Sequence, residues 1–402
     1  MPMRILVVQG GRNDELPSGE QVVISREVNS LRSDGHFVHL DHGVRLPSGG
    51  VARFLCRISG IIWSRANHRH VINLIQTYKP DIIHFHSIVP YLSLSVLYAA
   101  HRNEIPIVQT LHNGRWLCIE GGYYRDGHFC DDCVGTRGWR GVVRGCGHGR
   151  IPALVLFLVN LYARSSGRIF SWIGRFIAVS GFVYQQHVKS GFPAEKITIR
   201  NNGVDTSTID FQSGTRVDRK GVAFAGRISE AKGSKVLLHL IKNIKEPLQV
   251  VGSGPDLGKL ESFCREEGFQ HVTFWGNQPH EKVMEILGST VCTVVPSQCG
   301  ESFPTVATES MVLGTPVVAS DLGGLSQLIA DSGGGIVVAP GALDDFVDTI
   351  SLLLNSSEKA SSMGQLGMRY VREHLASEEK SKELVAIYQE VITGAMNNDH
   401  QL

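Results

Sequence analysis

The sequence predicts an α/β protein made of two successive doubly wound parallel sheets, each resembling a Rossmann unit. Short β-branched runs alternate with helix-length amphipathic segments, the pattern of sheets covered on both faces. Between Gly191 and Lys220 that pattern gives way to Pro, Asn, Gly and charged residues, and beyond it a fresh set of strands begins. Charge divides the chain the same way. Residues 1–180 carry 20 Lys+Arg against 12 Asp+Glu, and residues 181–402 carry 19 against 26, which sums to the net +1 of the whole. A basic half with eleven of the 17 histidines, joined to an acidic half, fits two domains with different chemical partners.

The elements follow in order. In the first half the expected strands are Arg4–Val8 (RILVV), His36–Leu40, Asp81–His86, Pro106–His112 and Phe176–Ser180, with helices at Glu20–Asp34 and Asn67–Lys79. In the second half they are Gly221–Gly226, Leu248–Gly254, His271–Gly276, Cys292–Ser297, Pro316–Ser320 and Gly334–Ala339. A final helix at Ser377–Ile392 puts Leu384, Ile387, Tyr388 and Val391 on one face. The expected domains are 1–195 and 196–376, followed by the helical segment 377–402, with a cysteine-bearing segment at 117–150 inside the first.

Composition excludes several classes. At 402 residues, 42% hydrophobic, 19% charged and with 44 glycines, the chain is neither disordered, collagen-like nor a small disulfide scaffold. The opening MPMRILVVQGG has too short an apolar run for a secretory signal, and no stretch reaches the ~18–20 apolar residues that span a bilayer. Cysteines without an export signal are expected to be reduced thiols or metal ligands. The expected location is cytoplasmic.

The most specific motif is Pro296–Gly324, PSQCGESFPTVATESMVLGTPVVASDLGG. It follows a strand, so its loop sits at the carboxyl edge of the sheet, where doubly wound folds bind ligands. A loop-to-helix junction at Ser302–Thr305 would place Glu301 at the helix entrance and Glu309 about two turns inside. Helix N-termini suit phosphate and sugar oxygens. Each glutamate alone also fits an ordinary helical acid; it is the flanking PS, SFP and GG that make the cluster specific. A second cluster, AGRISEAKG (Ala225–Gly233), places Arg227 and Lys232 in the loop after the first strand of the second domain, where two cations neutralise a diphosphate. VGSGP (Val251–Pro255) is a weaker glycine-marked strand end.

Arg227 with Lys232, and Glu301 with Glu309 eight residues on, set in the second of two Rossmann-like domains, resemble glycosyltransferase family 4. Ser18-Gly19-Glu20, the strand end His84–His86 and His112 match that family's layout too. The resemblance covers nearly the whole chain. It implies the GT-B fold, two domains facing across a cleft, a nucleotide-diphosphate sugar donor of the UDP or GDP type, no cofactor for catalysis, and retention of anomeric configuration. It further implies that Arg227 and Lys232 bind the diphosphate, with Gly19 approaching it. Glu309 would bind the ribose hydroxyls, Asn277 and Gln278 would lie by the base, and Glu301 and His112 would contact the reacting sugar. Pro304 and Gln327 depart from the family pattern, which often has glycine and glutamate there. No Asp-x-Asp occurs, so a metal holding the diphosphate is not expected.

Cys118, Cys130, Cys133 and Cys146 are spaced C-x11-C-x2-C-x12-C, with His128 and His148 nearby. Two readings stand: a tetrahedral structural zinc site, or reduced core and redox-sensitive thiols. A similar cysteine-bearing insert occurs in a subset of bacterial family members that build surface polysaccharides. Cys56, Cys264, Cys292 and Cys299 read as packing residues. The segment Ile151–Ile177 also has two readings. Its apolar run, followed by Arg164, Arg168 and Arg175 among aromatics, suits either an anionic membrane surface or a core helix with its arginines in water. Nucleic-acid binding lacks any supporting motif.

The function expected from all this is a hexosyl- or N-acetylhexosaminyl-type retaining glycosyltransferase, peripheral at the inner face of the cell membrane, acting on a glycan or lipid-linked glycan acceptor. The rivals are a GT-B epimerase or inverting transferase, and a catalytically silent glycan-binding subunit.

Overall fold

The computed structural model describes residues 2–10, 19–44, 60–135, 138–147, 149–206 and 219–399. Ser18, Cys56 and His148 lie outside the described residues. The chain forms two compact units. One comprises Met1–Tyr123, Asp131–Gly203 and Ser377–Leu402, and the other Tyr124–Cys130 and Val204–Ala376.

The strands of the first half are β1 (Arg4–Gln9), β2 (Phe37–Asp41), β3 (Ile82–His86), β4 (Ile107–Leu111), β5 (Tyr124–Arg125), β6 (His128–Phe129), β7 (Arg175–Ala178) and β8 (Ile197–Ile199). Its helices are α1 (Gly19–Ser33), α2 (Arg65–Tyr78), α3 (Ser95–Arg102), α4 (Trp139–Val143), α5 (Arg150–Ser165), α6 (Arg168–Trp172) and α7 (Gly181–Lys189). Six strands form one parallel sheet in the order β2-β1-β3-β4-β7-β8. β3 and β4 are buried throughout, and β1 in all but its first residue, which explains their near-continuous apolar sequence.

β9 (Val222–Ala225), β10 (Leu248–Val251), β11 (Val272–Gly276), β12 (Cys292–Val295), β13 (Val317–Ser320) and β14 (Gly335–Val338) make a second parallel sheet, ordered β11-β10-β9-β12-β13-β14. Its helices are α8 (Ser234–Asn243), α9 (Leu257–Glu267), α10 (His280–Ser289), α11 (Thr305–Val312), α12 (Gly324–Ser332), α13 (Leu343–Leu354) and α14 (Ser357–His374). Adjacent residues of one strand feed opposite cores, because side chains alternate across a sheet. Val294 and Val318 pack with Phe224, Leu237 and Phe346, whereas Val295 and Val317 pack with Met311, Leu325 and Val371.

The last helix, α15 (Ser377–Asp399), belongs to the first unit. Leu384, Ile387, Tyr388 and Val391 enter the same core as Ile5, Ile24, Leu31, Ile82 and Val108. Polar contacts fix its start. The buried Arg200 donates from Nε and Nη2 to the Lys380 carbonyl at 2.9 and 2.7 Å and from Nη1 to Glu27 of α1. Ser381 donates to Asp34 at 2.6 Å.

Three sequence expectations are corrected. The first unit runs to Gly203, not to 195, because the three-residue β8 pairs with β7 and closes the sheet; so short a run carries no readable period. Within the segment 117–150, the hairpin β5–β6 groups with the second unit, not the first, and Tyr124 and Glu230 lie side by side there. Glu301 does not stand at a helix entrance: α11 begins at Thr305, and Glu301 lies in the loop ahead of it. Among the described residues, no helix is long and apolar enough to cross a membrane.

Candidate functional site

In the second sheet the strand order turns back on itself at β9, whose neighbours are β10 on one side and β12 on the other. The loops leaving β9 and β12 lie at the carboxyl edge of this switch point, the place where open α/β sheets bind ligands. Those two loops carry Arg227 and Lys232, and Glu301. They are tied together: Gln298 N–H donates to the Ala231 carbonyl at 2.8 Å. The β10 loop locks in alongside, since Ile228 N–H donates to the Ser253 carbonyl at 2.9 Å. At Gly252, with φ of 123°, a Cβ would stand 2.0 Å from the Gly226 carbonyl oxygen, so the turn closes only around glycine.

Lys232 Nζ is ion-paired with Glu301 Oε1, and the Ser297 hydroxyl donates to the same oxygen at 2.6 Å. Burial by itself would raise the Glu301 carboxyl. The Lys232 ammonium and the hydrogen bonds from Lys232 and Ser297 outweigh it and hold the carboxyl below its usual range. Burial would likewise depress Lys232, but Glu301 and Cys299 keep it above its ordinary value. The pair is therefore doubly charged across neutral pH. Arg227, five residues earlier in the same loop as Lys232, is exposed.

Glu301's main chain is fixed by the glycines after β13. Gly324 N–H donates to its carbonyl at 2.7 Å, and a Cβ on Gly323, whose φ is 61°, would stand 2.5 Å from that same oxygen. Gly323→Ala is expected to cost about 1–3 kcal/mol through backbone strain and to displace Glu301. A thermal unfolding midpoint equal to the parent's would contradict this.

Glu309 lies on α11 and is 8% exposed. His280 Nε2, at the start of α10, stands 3.0 Å from its Oε1. His280 belongs to no motif in the sequence and was not expected at the site, whereas Ser297 was expected only as part of the PS that flanks the glutamate motif. The exposed Asn277 follows β11, and the Gln278 amide donates to the Trp275 carbonyl at 2.7 Å, closing that turn. Pro304 directly precedes α11, and Gln327 lies within α12.

The first unit gathers histidines. His84 and His86, two apart on β3, share a sheet face and are buried. His84 meets the Tyr388 hydroxyl and Thr110, each at 2.7 Å, and His86 Nδ1 meets His112 Nε2 at 2.8 Å just beyond β4. Burial pushes His84 down to about 3 and His86 well below its ordinary value, so both stay neutral. A neutral His86 can therefore fix the tautomer of His112. Glu27, His84 and His86 come within metal-ligand reach of one another. Both His84 nitrogens are already engaged and a guanidinium sits on Glu27, so the cluster is a hydrogen-bonded core network, not a cation site. Gly19 opens α1, and the neighbouring Glu20 accepts a hydrogen bond from Ser87.

Cys118 and Cys133 are buried, and Cys130 and Cys146 half-buried. Cys264, Cys292 and Cys299 are buried. The arginines expected to face water or lipid have mostly other work, which corrects that grouping. Arg164 bonds the Ser190 carbonyl and lies 5.8 Å from the Phe192 ring centre, and Arg175 bonds the Glu195 carbonyl at 2.7 Å and pairs with Glu390. Arg168 alone of the three stays at the surface, over Tyr162.

Two family models match the chain, glycosyltransferase family 4 over residues 17–208 and glycosyl transferases group 1 over residues 205–369. Among curated relatives, a D-inositol 3-phosphate glycosyltransferase of Corynebacterium aurimucosum is 32% identical over 174 residues, 40% of this chain and 41% of its own. An uncharacterized glycosyltransferase of Methanocaldococcus jannaschii is 28% identical over 147 residues, 37% of this chain and 42% of its own. The chain thus spans about two fifths of the length of these two relatives. Solved structures of similar fold include the Anabaena protein HepE in complex with UDP-glucose, with a TM-score of 0.67 at 16% identity over 96% of this chain and 100% of that one. Another is a sucrose-phosphate synthase of Thermosynechococcus elongatus, with a TM-score of 0.69 at 16% identity over 97% and 100%. With two parallel-sheet units of this topology and consecutive family matches from residue 17 to residue 369, the chain belongs to the family 4-like glycosyltransferases and has the GT-B fold.

Proposed function

We propose that the protein is a retaining glycosyltransferase that moves a sugar from a nucleotide-diphosphate donor of the UDP or GDP type to a glycan acceptor, lipid-linked, in surface polysaccharide biosynthesis. The observation that carries the donor half is the Lys232–Glu301 ion pair at the turning point of the second sheet, with Arg227 exposed in the same loop as Lys232. Arg227 and Lys232 take the diphosphate and stabilise the charge that grows on it as the glycosidic bond breaks. The departing phosphate oxygen helps deprotonate the acceptor hydroxyl, which attacks from the same face, so the anomeric configuration is kept. Glu301 holds Lys232 and contacts the donor sugar. Glu309, steadied by His280, accepts the ribose hydroxyls, and Asn277 and Gln278 flank the base. Gly19 and His112 act from the first unit, His112 at the reacting sugar. That HepE was crystallised with UDP and with UDP-glucose supports a donor of this class. The acceptor half rests on the basic first half of the chain, which attracts an anionic lipid diphosphate.

Thermal unfolding with UDP, GDP and UDP-glucose in an EDTA-containing buffer tests the reading. One diphosphate is expected to raise the midpoint, by an amount worth about 2.7 kcal/mol at a hundredfold excess over Kd. No shift with any of them would overturn the donor assignment. A shift only after adding Mg²⁺ or Mn²⁺ would overturn metal-independent binding.

A further inference from the structure

The described surface of the first unit carries an apolar stripe that the fold leaves uncovered. On α5, Ile151 is 64% exposed, and Leu154, Leu158 and Tyr162 are also exposed. They recur every three or four residues, so they form one face about 16 Å long. The inward face of the same helix holds Ala153, Val159, Asn160 and Ala163. This ordering is inverted for a helix facing water, which normally turns its polar residues outward. α4 packs against α5 and adds the exposed Trp139 and Val143.

Within the two helices and the loops that join and follow them the charges have one sign. Residues 139–172 contain five arginines and no Asp or Glu. The exposed Arg150 stands at one end of the stripe, and Arg168 at the other, 5.2 Å from the Tyr162 ring centre. Arg140 and Arg144 flank α4 and share the single carboxylate of Asp132. A contiguous exposed apolar face marks an interaction site. An exposed apolar face on two packed helices, carrying Trp139 and Tyr162 and bordered by Arg140 and Arg144, which share Asp132, and by Arg150 and Arg168, fits a bilayer boundary better than a protein groove. Apolar side chains enter the acyl layer, Trp and Tyr sit at headgroup level, and guanidinium groups meet lipid phosphates.

We propose that α4 and α5 form the membrane-docking face of this protein, lying flat on an anionic bilayer with Trp139, Val143, Ile151, Leu154, Leu158 and Tyr162 inserted and Arg140, Arg144, Arg150 and Arg168 on the headgroups. This deepens the lipid-linked-acceptor reading and rests on it for its biological sense. It moves the docking residues from the arginines of 164–175 to the α4–α5 face.

The test is co-sedimentation of the full chain with vesicles of phosphatidylcholine alone or with phosphatidylglycerol, and neither donor nor acceptor is needed. The parent is expected to bind the phosphatidylglycerol vesicles at least tenfold more tightly than the neutral ones, and less at high salt. Leu154→Glu with Leu158→Glu should reduce binding at least tenfold. Arg150→Glu with Arg168→Glu should remove most of the preference for anionic lipid. Both double variants change exposed positions and should keep the parental unfolding midpoint and its shift with nucleotide. Failure of the parent to bind anionic vesicles, or equal binding by the leucine variant, overturns the proposal. So does a parental dimer in size-exclusion chromatography that the leucine variant dissolves, because the face would then be a self-interface. Loss of the nucleotide shift in the parent, by contrast, would defeat the donor reading and leave vesicle binding as it is.

Discussion

Replacing Lys232 with alanine is expected to lower kcat/KM for the nucleotide sugar by on the order of 10²-fold or more. Two losses coincide. The ammonium that would meet the diphosphate is gone, and Glu301 is left buried with only the Ser297 hydroxyl for company. Burial then dominates its titration and the carboxyl rises. Lys232→Arg keeps the charge but not the geometry and should recover part of the activity. Near-parental turnover by the alanine variant would remove Lys232 from the site.

The same pair has a signature in pH. Glu301 titrates below its usual range in the folded protein, so its contribution to stability is full above the ordinary carboxylate range and is lost as pH falls through the folded value. Lys232 titrates above its ordinary value, so its contribution is full below the ordinary lysine range and is lost as pH rises through the folded value. The parent should therefore outlast the Lys232→Ala variant most clearly between those limits. An identical unfolding-versus-pH curve for the two proteins would contradict the pairing.

The largest stability effect is expected at Arg200→Met. Its guanidinium is 2% exposed and meets both Glu27 and the Lys380 carbonyl, joining β8, α1 and α15. Removing one member of a buried ion pair costs about 3–5 kcal/mol, because the other charge stays desolvated. Burial would raise the Glu27 carboxyl, and at present the charge and hydrogen bond of Arg200 hold it below its usual range. Without the arginine the carboxyl rises above its unfolded value, so the variant's deficit should shrink as pH falls toward the carboxylate range. Glu27→Gln combined with Arg200→Met should be more stable than Arg200→Met alone. Chemical denaturation at pH 5.5 and pH 8 checks all three, and a deficit independent of pH would show that Glu27 is not the group left stranded.

Sequence alone determined what is local. The central strands are buried on both faces, so each reads as an apolar block, and five of the six strands in the first sheet and all six in the second appear within a few residues of their expected places. Glycine-marked loops at strand ends are local too, which is why Arg227, Lys232, Glu301 and Glu309 could be singled out. Tertiary structure decided what depends on partners far along the chain. Lys232 meets Glu301 across 69 residues, His280 meets Glu309 across 29, and Arg200 meets Glu27 across 173. None of these pairs has a spacing that a periodicity can register. Exposure was decided the same way. Ile151–Ala163 reads as uniformly apolar, and only the packing of Ala153, Asn160 and Ala163 inward turns Leu154 and Leu158 out to the surface. Arg164 and Arg175 look like a basic stripe until Ser190 and Glu390 are brought beside them. A side chain's type and period are properties of the local chain, whereas its burial and its partner are set by whichever element the fold lays against it.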